Sequence, residues 1–409
     1  MHTLLLVPLA TLIASAAQAA PLTYDQALRE AVANAPGAAA TRAGIAAAAA
    51  DARAAGSLPD PRLAVGLDNF PVSGPPAFTL NGDDMTMGRI GVQQDVPNLA
   101  KRHAAQAQAG AAIATAEATQ AARLRQIRLG AGLAWIDLAY AEQRLSAMDR
   151  LLKTLHDLPA VARTAAGSGA ARPAQTLAVD QAIAGLEDRR DELVAGVARA
   201  RAMLARWTGV AAPTVTGSVP APDLSPAQLR AALEQNPELR SADAGVRRAQ
   251  ADVDAARAEK RPDWGFEVAY QRRDPRYGDM VSLGATMSLP LFTRTRQNPR
   301  IDARQAAATQ AEAEREDTRR ALAADLEAGL ADHTMHHEQW QRARNVLLRL
   351  ARERAELETA SYSAGRAGLL DVIETKTALA DAELTALDRE AEVARDGVRL
   401  TITYGNDER

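Results

Sequence analysis

The chain has no cysteine among its 409 residues, and aromatic residues make up only 3% of it. The absence of cysteine excludes disulfides, thiolate metal sites, cysteine nucleophiles and a lipid-modified cysteine at the N-terminus. The formal net charge is −3 with acids and bases interspersed, so no basic stripe is present for nucleic acid. A chain poor in rings and rich in alanine favours long, closely packed helices over a compact globular core.

Long apolar runs are also missing. Residues 4–14 are mainly apolar, but this run is shorter than a bilayer-spanning helix, and Ala17-Gln18-Ala19 has the small-x-small pattern of a signal peptidase site. No later segment approaches the roughly 18 apolar residues that a transmembrane helix needs. We therefore predict a signal peptide, cleavage after Ala19 and export of the mature chain.

The same series of landmarks occurs twice, over residues 22–209 and again over 224–405. Pro36 corresponds to Pro237, and Gly91 corresponds to Gly284, with nearly constant separations along the chain. The sequence therefore predicts one duplicated unit, in four parts: signal peptide 1–19, first structural repeat 20–209, linker 210–223 and second structural repeat 224–409.

Each copy combines a leading helix, a β-hairpin and a long helical hairpin. Apolar positions recur at 3/4 spacing through the proline-free stretch that begins at Leu99, which is a sustained heptad pattern. The predicted elements are a helix over 23–57, strands over 62–70 and 86–96, a helix over 99–158 with a return helix from Pro173, then strands over 264–271 and 281–289 and a return helix from Leu369.

The four strands alternate apolar and polar side chains. Val65, Val92, Val268 and Leu283 fall on the apolar side of their strands, which would suit contact with lipid. The opposite side carries polar residues that we predict to line a water-filled barrel lumen: Arg89, Gln93, Asp95, Glu267 and Gln271.

Four strands cannot close into a barrel, and an open sheet edge in lipid leaves backbone groups unpaired at several kcal/mol each. Other chains must therefore complete the sheet. Two chains would give eight strands with a side-chain-filled interior, whereas three would give twelve strands around a water-filled lumen. The predicted fold class is mainly α with a membrane β-barrel, assembled as a homotrimer.

Short segments of the chain carry a resemblance to a known family: Gln94–Pro97 and Ser288–Phe292 after the strands, and Tyr362–Gly365 followed by Leu370–Glu374 near the second return helix. With the order of elements, they make the mature chain resemble the TolC family of outer-membrane efflux proteins. The resemblance implies a homotrimer in outer-membrane lipid, with a 12-stranded β-barrel and a long periplasmic α-barrel. It also implies docking with a periplasmic adaptor (membrane fusion) protein and an inner-membrane pump.

The resemblance also assigns roles at the periplasmic end. Asp371 and Glu374 match a pair of gate carboxylates, which three-fold symmetry would turn into two acidic rings that favour cations. Tyr362 matches a residue of the closing contacts, whereas Arg366 lies one position before the place of the family's arginine. The alternative is that the two acids only complement the dipole at a helix start. Gly169 and Gly365 mark the predicted hairpin tips that contact the adaptor.

Other candidate residues give weaker patterns. His333 and His337 have the i, i+4 spacing that can share Zn²⁺ or Cu⁺, and Met85 and Met87 could be soft ligands near the outer mouth. Isolated residues of these types are usually structural, so we predict no metal site and no cofactor. A catalytic serine–histidine–aspartate order and a phosphate-binding loop are both absent from the sequence, so we predict no enzyme.

The predicted function is a passive exit duct of a tripartite efflux system. The segment 96–102 at the start of the long helix favours the heavy-metal branch of the family, so heavy-metal cations are one expected cargo. The alternative is a periplasmic coiled-coil adaptor or scaffold. Two copies of an apolar-faced hairpin argue against that class, in which one helical hairpin accompanies small β domains.

Overall fold

The computed structural model describes residues 20–75, 77–167, 172–221 and 224–405. The predicted signal peptide and the predicted tip at Gly169 lie outside these residues. The chain divides into two compact units, each with segments from both halves of the sequence. The helical unit comprises Met1–Ala38, Arg123–Leu233 and Leu322–Arg409, and the sheet unit comprises Ala39–Ala122 and Glu234–Ala321.

Helices account for most of the described residues. They are α1 Tyr24–Asn34, α2 Pro36–Ala54, α3 Leu99–Leu155, α4 Leu158–Gly167, α5 Pro173–Thr208, α6 Pro226–Ala232, α7 Pro237–Ala258, α8 Gln297–Arg342, α9 Leu348–Ser363 and α10 Leu369–Tyr404. The strands are β1 Ala20–Leu22, β2 Arg62–Asp68, β3 Met87–Val96, β4 Pro213–Val215, β5 Trp264–Arg272 and β6 Met280–Met287.

The leading helix predicted over 23–57 is two helices, α1 and α2, and the second ends at Ala54. Its start at Thr23 is confirmed, because the Thr23 hydroxyl accepts from the Gln26 amide at 3.3 Å while the Gln26 side chain accepts from the Thr23 amide at 2.9 Å. The break follows from Pro36, which lacks an amide donor and holds Ala35 in an extended conformation. In the second copy the same break occurs at Pro237, where Asn236 caps α7.

The long helices agree closely with the sequence-based prediction. Helix α3 ends at Leu155 rather than at residue 158, and the return helices α5 and α10 begin at Pro173 and Leu369 as predicted. A π-helical segment, Ala343–Leu347, joins α8 to α9 and was not predicted. Within the described residues, no helix combines the length and apolar character needed to cross a membrane.

The core of the helical unit is built around Trp135 of α3, which is almost fully buried. Its indole N–H donates to the Leu22 carbonyl at 2.8 Å, and the Tyr24 ring meets it edge-on at 5.8 Å between centroids. These contacts hold β1, which pairs in parallel with β4. The predicted linker 210–223 therefore contains the short strand β4. Three residues are too few for the alternation of a strand to be recognised in the sequence.

The sheet unit contains one antiparallel sheet with the strand order β2-β3-β5-β6. The four predicted strands are confirmed within two residues at each end, and β2 stops at Asp68 because Asn69 adopts a positive φ of 55°. The central pairing of β3 with β5 joins the hairpins of the two sequence halves, with Val92 opposite Val268 and Gln93 opposite Glu267.

Two glycines of α3 provide a matched test of helix packing. A side chain at Gly130 would overlap the Trp207 ring, whereas one at Gly110 would meet no atom within 4 Å. We expect Gly130→Ala to lower the free energy of unfolding by about 1 to 3 kcal/mol through overpacking. Gly110→Ala is the control, and it should raise this free energy by roughly 0.5 to 1 kcal/mol because alanine restricts the unfolded chain. Thermal midpoints by circular dichroism at one scan rate measure both; equal shifts would contradict the packing at Gly130.

Candidate functional site

One face of the sheet is polar, and the strand register brings the five predicted lumen residues together. Arg89 lies opposite Gln271, Gln93 lies opposite Glu267, and Asp95 follows two positions later on β3. Arg89 forms an ion pair with Glu267, and its guanidinium lies 3.8 Å from Asp68. The side chains of Arg89 and Glu267 remain about one-third exposed, so water reaches this pair.

Arg62 belongs to the same polar face, although it was not among the predicted lumen residues. It lies opposite Gln93 and forms an ion pair with Asp95. Gln93 in turn donates to Asp95 at 3.3 Å. The alternation of residues along β2 places Arg62 on this face, but its partner depends on the pairing of β2 with β3. The face therefore carries a connected row of compensated charges across three strands.

The other face of the sheet is apolar and exposed. Val65, Val268 and Leu283 retain 73%, 53% and 80% of their accessible surface, although they lie on three different strands of one sheet. The rings of Trp264 and Phe266 stack on this face with their centroids 6.4 Å apart. A contiguous apolar face of this extent is uncommon on a protein surface in water and marks a surface that meets lipid or protein.

The strands pass into helices through a hydrogen-bond network centred on Asn98. Its side-chain amide donates to the Asp263 carboxylate at 2.8 Å and to the Arg261 carbonyl at 3.1 Å. Its side-chain oxygen accepts from the Lys101 amide at 3.0 Å, and Lys101 forms an ion pair with Asp263. Asn98 therefore caps α3 and joins the end of β3 to the start of β5.

The predicted gate acids lie at the start of α10. Asp371 is the third residue of this helix, and its carboxylate accepts from the Gly368 amide at 2.8 Å. This is the local role proposed by the helix-start alternative. Glu374 lies three residues later, and both acids are exposed. The structure therefore gives Asp371 a capping contact and leaves both carboxylates open to solvent.

The end of α9 contains Tyr362, and the turn between α9 and α10 contains Gly365 and Arg366. Gly365 has a φ of +71°, a conformation that favours glycine, and its amide donates to the Tyr362 carbonyl at 2.9 Å. The Arg366 amide donates to the Ser361 carbonyl at 2.9 Å, and the Arg366 side chain is exposed. Among the described residues, no hydrogen bond or ion pair joins the side chains of Tyr362 and Arg366.

The candidate metal ligands do not converge. The rings of His333 and His337 lie 6.2 Å apart, and His336 between them contacts Asp396 at 2.6 Å. Within the described part of the chain, no group of three or more histidine, cysteine, aspartate or glutamate side chains is placed to hold a metal ion. Met85 and Met87 are also separated in environment, since Met85 is exposed and Met87 is buried.

Comparison with known proteins agrees with these features. Residues 229–406 match the model of the family described as outer membrane efflux protein. The second half of the chain thus carries this family's pattern. Comparison with curated protein sequences gave no match. This match supports the predicted location in the outer membrane, with an extended periplasmic part.

Solved structures show the fold of the whole chain. The CmeC outer membrane channel of Campylobacter jejuni is 12% identical and matches with a TM-score of 0.79, covering 93% of this chain and 85% of that one. The outer membrane protein VceC of Vibrio cholerae is 18% identical, with a TM-score of 0.77 and coverage of 94% and 96%. The MtrE outer membrane channel of Neisseria gonorrhoeae, in its open state, is 17% identical, with a TM-score of 0.73 and coverage of 94% and 89%. These matches confirm the predicted fold class at the level of the single chain, which is mainly α with β-strands as in outer membrane channels.

The two faces of the sheet can be distinguished by a charge placed on each. Val268→Arg puts a cation on the apolar face, where arginine at the midplane of a bilayer costs about 2 to 4 kcal/mol. Gln93→Arg puts the same cation on the polar face, beside Asp95 and Glu267. We expect the first variant to reduce the amount of assembled protein in the outer membrane and the second to leave it near wild type. The measurement is the heat-modifiable fraction in outer-membrane extracts, and equal amounts of both variants would refute the assignment of faces.

Proposed function

We propose that this protein is the outer-membrane exit duct of a tripartite efflux system and conducts its cargo passively from the periplasm to the exterior. The observation that carries the proposal is the sheet with one exposed apolar face and one face of compensated charges. Such a sheet separates lipid from water, which is the task of a barrel wall. The family match of residues 229–406 supports the same function.

The proposal includes a homotrimer. Each chain contributes the four strands β2-β3-β5-β6, so three chains supply twelve strands and a lumen wide enough for water. In this assembly the row from Arg62 to Glu267 faces the lumen, and Val65, Val268 and Leu283 face lipid. The duplicated units 20–209 and 224–409 then supply one hairpin each, and the 1–19 signal peptide directs export.

The periplasmic partners are an adaptor protein and an inner-membrane pump. The tip predicted from the sequence at Gly169 and the turn at Gly365 are the proposed contacts with the adaptor. The turn at Gly365 is exposed and is shaped by a glycine conformation, so it offers a surface with little side-chain bulk. The family resemblance supports this arrangement.

Cation selection is assigned to Asp371 and Glu374 at the start of α10. Both carboxylates are exposed and lie within one helical turn, so three chains would place six carboxylates around one mouth. Tyr362 at the end of α9 and Arg366 in the turn before α10 complete the proposed gate. The capping contact of Asp371 with Gly368 fixes its carboxylate without neutralising it.

The cargo favoured by the resemblance is a heavy-metal cation. The segment 96–102 suggested that branch, and the structure gives Asn98 and Lys101 of this segment a separate role in capping α3 and binding Asp263. Support for this cargo therefore comes from the resemblance alone. The acidic gate is compatible with cations of any kind.

The alternative, a periplasmic coiled-coil adaptor or scaffold, requires a surface that tolerates water throughout. The apolar face around Val65, Val268 and Leu283 argues against this alternative, because a soluble protein that leaves such a face exposed to water is prone to aggregate. Release of the intact protein into a periplasmic extract without detergent would favour that alternative.

The conductance of the purified protein in planar bilayers tests the duct and its gate together. We expect wild type to form channels that prefer cations. Asp371→Asn combined with Glu374→Gln should shift the reversal potential in a salt gradient toward the non-selective value. The reason is that these changes remove charge while keeping side-chain shape and the oxygen that caps the helix.

Glu312→Gln is the control for loss of an exposed acid elsewhere, on α8, and it should leave the reversal potential unchanged. A reversal potential that is unaffected by the double substitution would reject the gate assignment. Absence of any conductance from correctly folded wild-type protein would reject the duct itself.

A further inference from the structure

The helical unit contains a cavity of about 280 Å³ that the proposed duct does not use. It lies beneath the chain segment Val219–Ala221, and its walls come from α3, α8 and α10. The residues that give these walls their chemistry are Tyr140, His333, His337, Trp340 and Glu390, with Val393 as an apolar neighbour.

The cavity combines aromatic rings with one carboxylate. Trp340 and His337 lie with their ring centroids 5.3 Å apart, and Tyr140 is almost fully buried on the α3 side. Burial raises the pKa of Tyr140, and so do the charge of Glu390 and a hydrogen bond to Glu390. The Tyr140 hydroxyl therefore stays protonated and donates to Glu390, which orients the carboxylate at the cavity wall.

Nearby cationic side chains do not neutralise the charge of the Glu390 carboxylate. Arg395 lies close enough to lower the pKa of Tyr140 against the effect of burial, but its guanidinium is paired with the Asp137 carboxylate at 2.7 Å. Burial lowers the pKa of His333, with His336 and His337 acting in the same direction and Asp396 against it, so the His333 ring is neutral at pH 7. His336 faces Asp396 and Glu392 instead of the cavity. Arg144 donates to the Tyr140 carbonyl at 3.2 Å and is paired with Asp388. Arg344 lies over the Trp340 ring at 5.5 Å, and its side chain is exposed to solvent, which screens its charge.

We propose that this cavity binds a small organic cation, a compact ammonium group attached to a single ring or a short apolar chain. Glu390 would provide the counter-charge, and the Trp340 and Tyr140 rings would provide the aromatic surface that attracts such cations. The apolar side chains of Val219 and Val393 would cover the uncharged part. The volume is near the lower limit of ligand pockets, which restricts the ligand to this size.

A metal ion fits this cavity less well than an organic cation. His333, His337 and Glu390 all line it, yet the described residues contain no group of three side chains placed to hold an ion. The Nε2 atom of His337 also forms a hydrogen bond with the side-chain amide of Gln341 at 2.9 Å. The aromatic and apolar walls, rather than a ligand cage, therefore define what the cavity accepts.

The test is isothermal titration of the full mature protein in mild detergent with benzyltrimethylammonium as the probe. We expect saturable binding, and weaker binding of the neutral benzyl alcohol. Glu390→Gln should weaken probe binding by about tenfold, as expected for loss of one charge-assisted contact. Glu338→Gln is the matched control, because Glu338 is an exposed acid on α8 beside the cavity residues, and it should leave binding unchanged.

A second variant tests whether the loss of binding in Glu390→Gln arises in the cavity itself. Ala221→Leu adds bulk at the exposed end of the cavity and should also weaken the probe. Circular dichroism melts establish that the variants fold. Absence of probe binding to wild type would overturn the proposal, as would equal binding of benzyl alcohol or equal binding by Glu390→Gln, since these describe an apolar cavity only. Saturable binding of Zn²⁺ without binding of the ammonium probe would also overturn it.

Discussion

The proposed assembly of this protein depends on the unpaired edges of its sheet. In the described residues, β2 and β6 each pair on one side only, so the outer edges of both strands expose backbone donors and acceptors. Water can satisfy these groups, but lipid cannot, and each unpaired group in a bilayer costs several kcal/mol. The apolar face of the same sheet is more stable in contact with lipid than with water. In the proposed trimer, pairing with further copies of the sheet satisfies both requirements.

The two halves of the chain contribute equally to the sheet. One hairpin comes from each half of the chain, and the pairing of β3 with β5 joins them in a register that keeps valine opposite valine and polar residues opposite polar residues. A slip of either strand by one residue would move its own charged residue, Arg89 of β3 or Glu267 of β5, to the apolar face. The Asn98–Asp263 contact fixes this register at one end of the central pair, where β3 ends and β5 begins.

The sequence predicts those parts of the fold that depend on local periodicity. Alternation along the strands placed Val268 and Gln93 on opposite faces, and heptad spacing located α3 and α10, because both patterns extend over many residues. The break before Pro36 has a local cause in the proline, but the prediction of one helix over 23–57 missed it. The parallel pair β1–β4 and the π-helical segment Ala343–Leu347 have no such pattern. They depend on tertiary contacts, such as that of Trp135 with Leu22.

In the candidate functional site, too, features with a local sequence pattern were predictable and features that depend on tertiary contacts were not. Alternation along the strands identified five residues of the polar face, whereas the ion pair between Arg62 and Asp95 depends on the register of β2 against β3. At the start of α10 the two acids were identified, but the sequence left their gate role and their helix-start role open. The contact of Asp371 with Gly368 establishes the second role without removing the first. The cavity at Glu390 joins three helices and a linker, so no local pattern could indicate it.

Disulfide cross-linking between the sheet edges tests directly whether separate chains complete the barrel. The chain contains no cysteine, so Val65→Cys in β2 combined in turn with Val281→Cys, Leu283→Cys or Ala285→Cys in β6 introduces the only thiols. After oxidation in intact cells, at least one pair should give covalent dimers and trimers. Val92→Cys with Val268→Cys, which are partners within one chain, should give only a cross-linked monomer. Formation of this control bridge with no intermolecular bridge from any edge pair would contradict closure of the sheet by neighbouring chains.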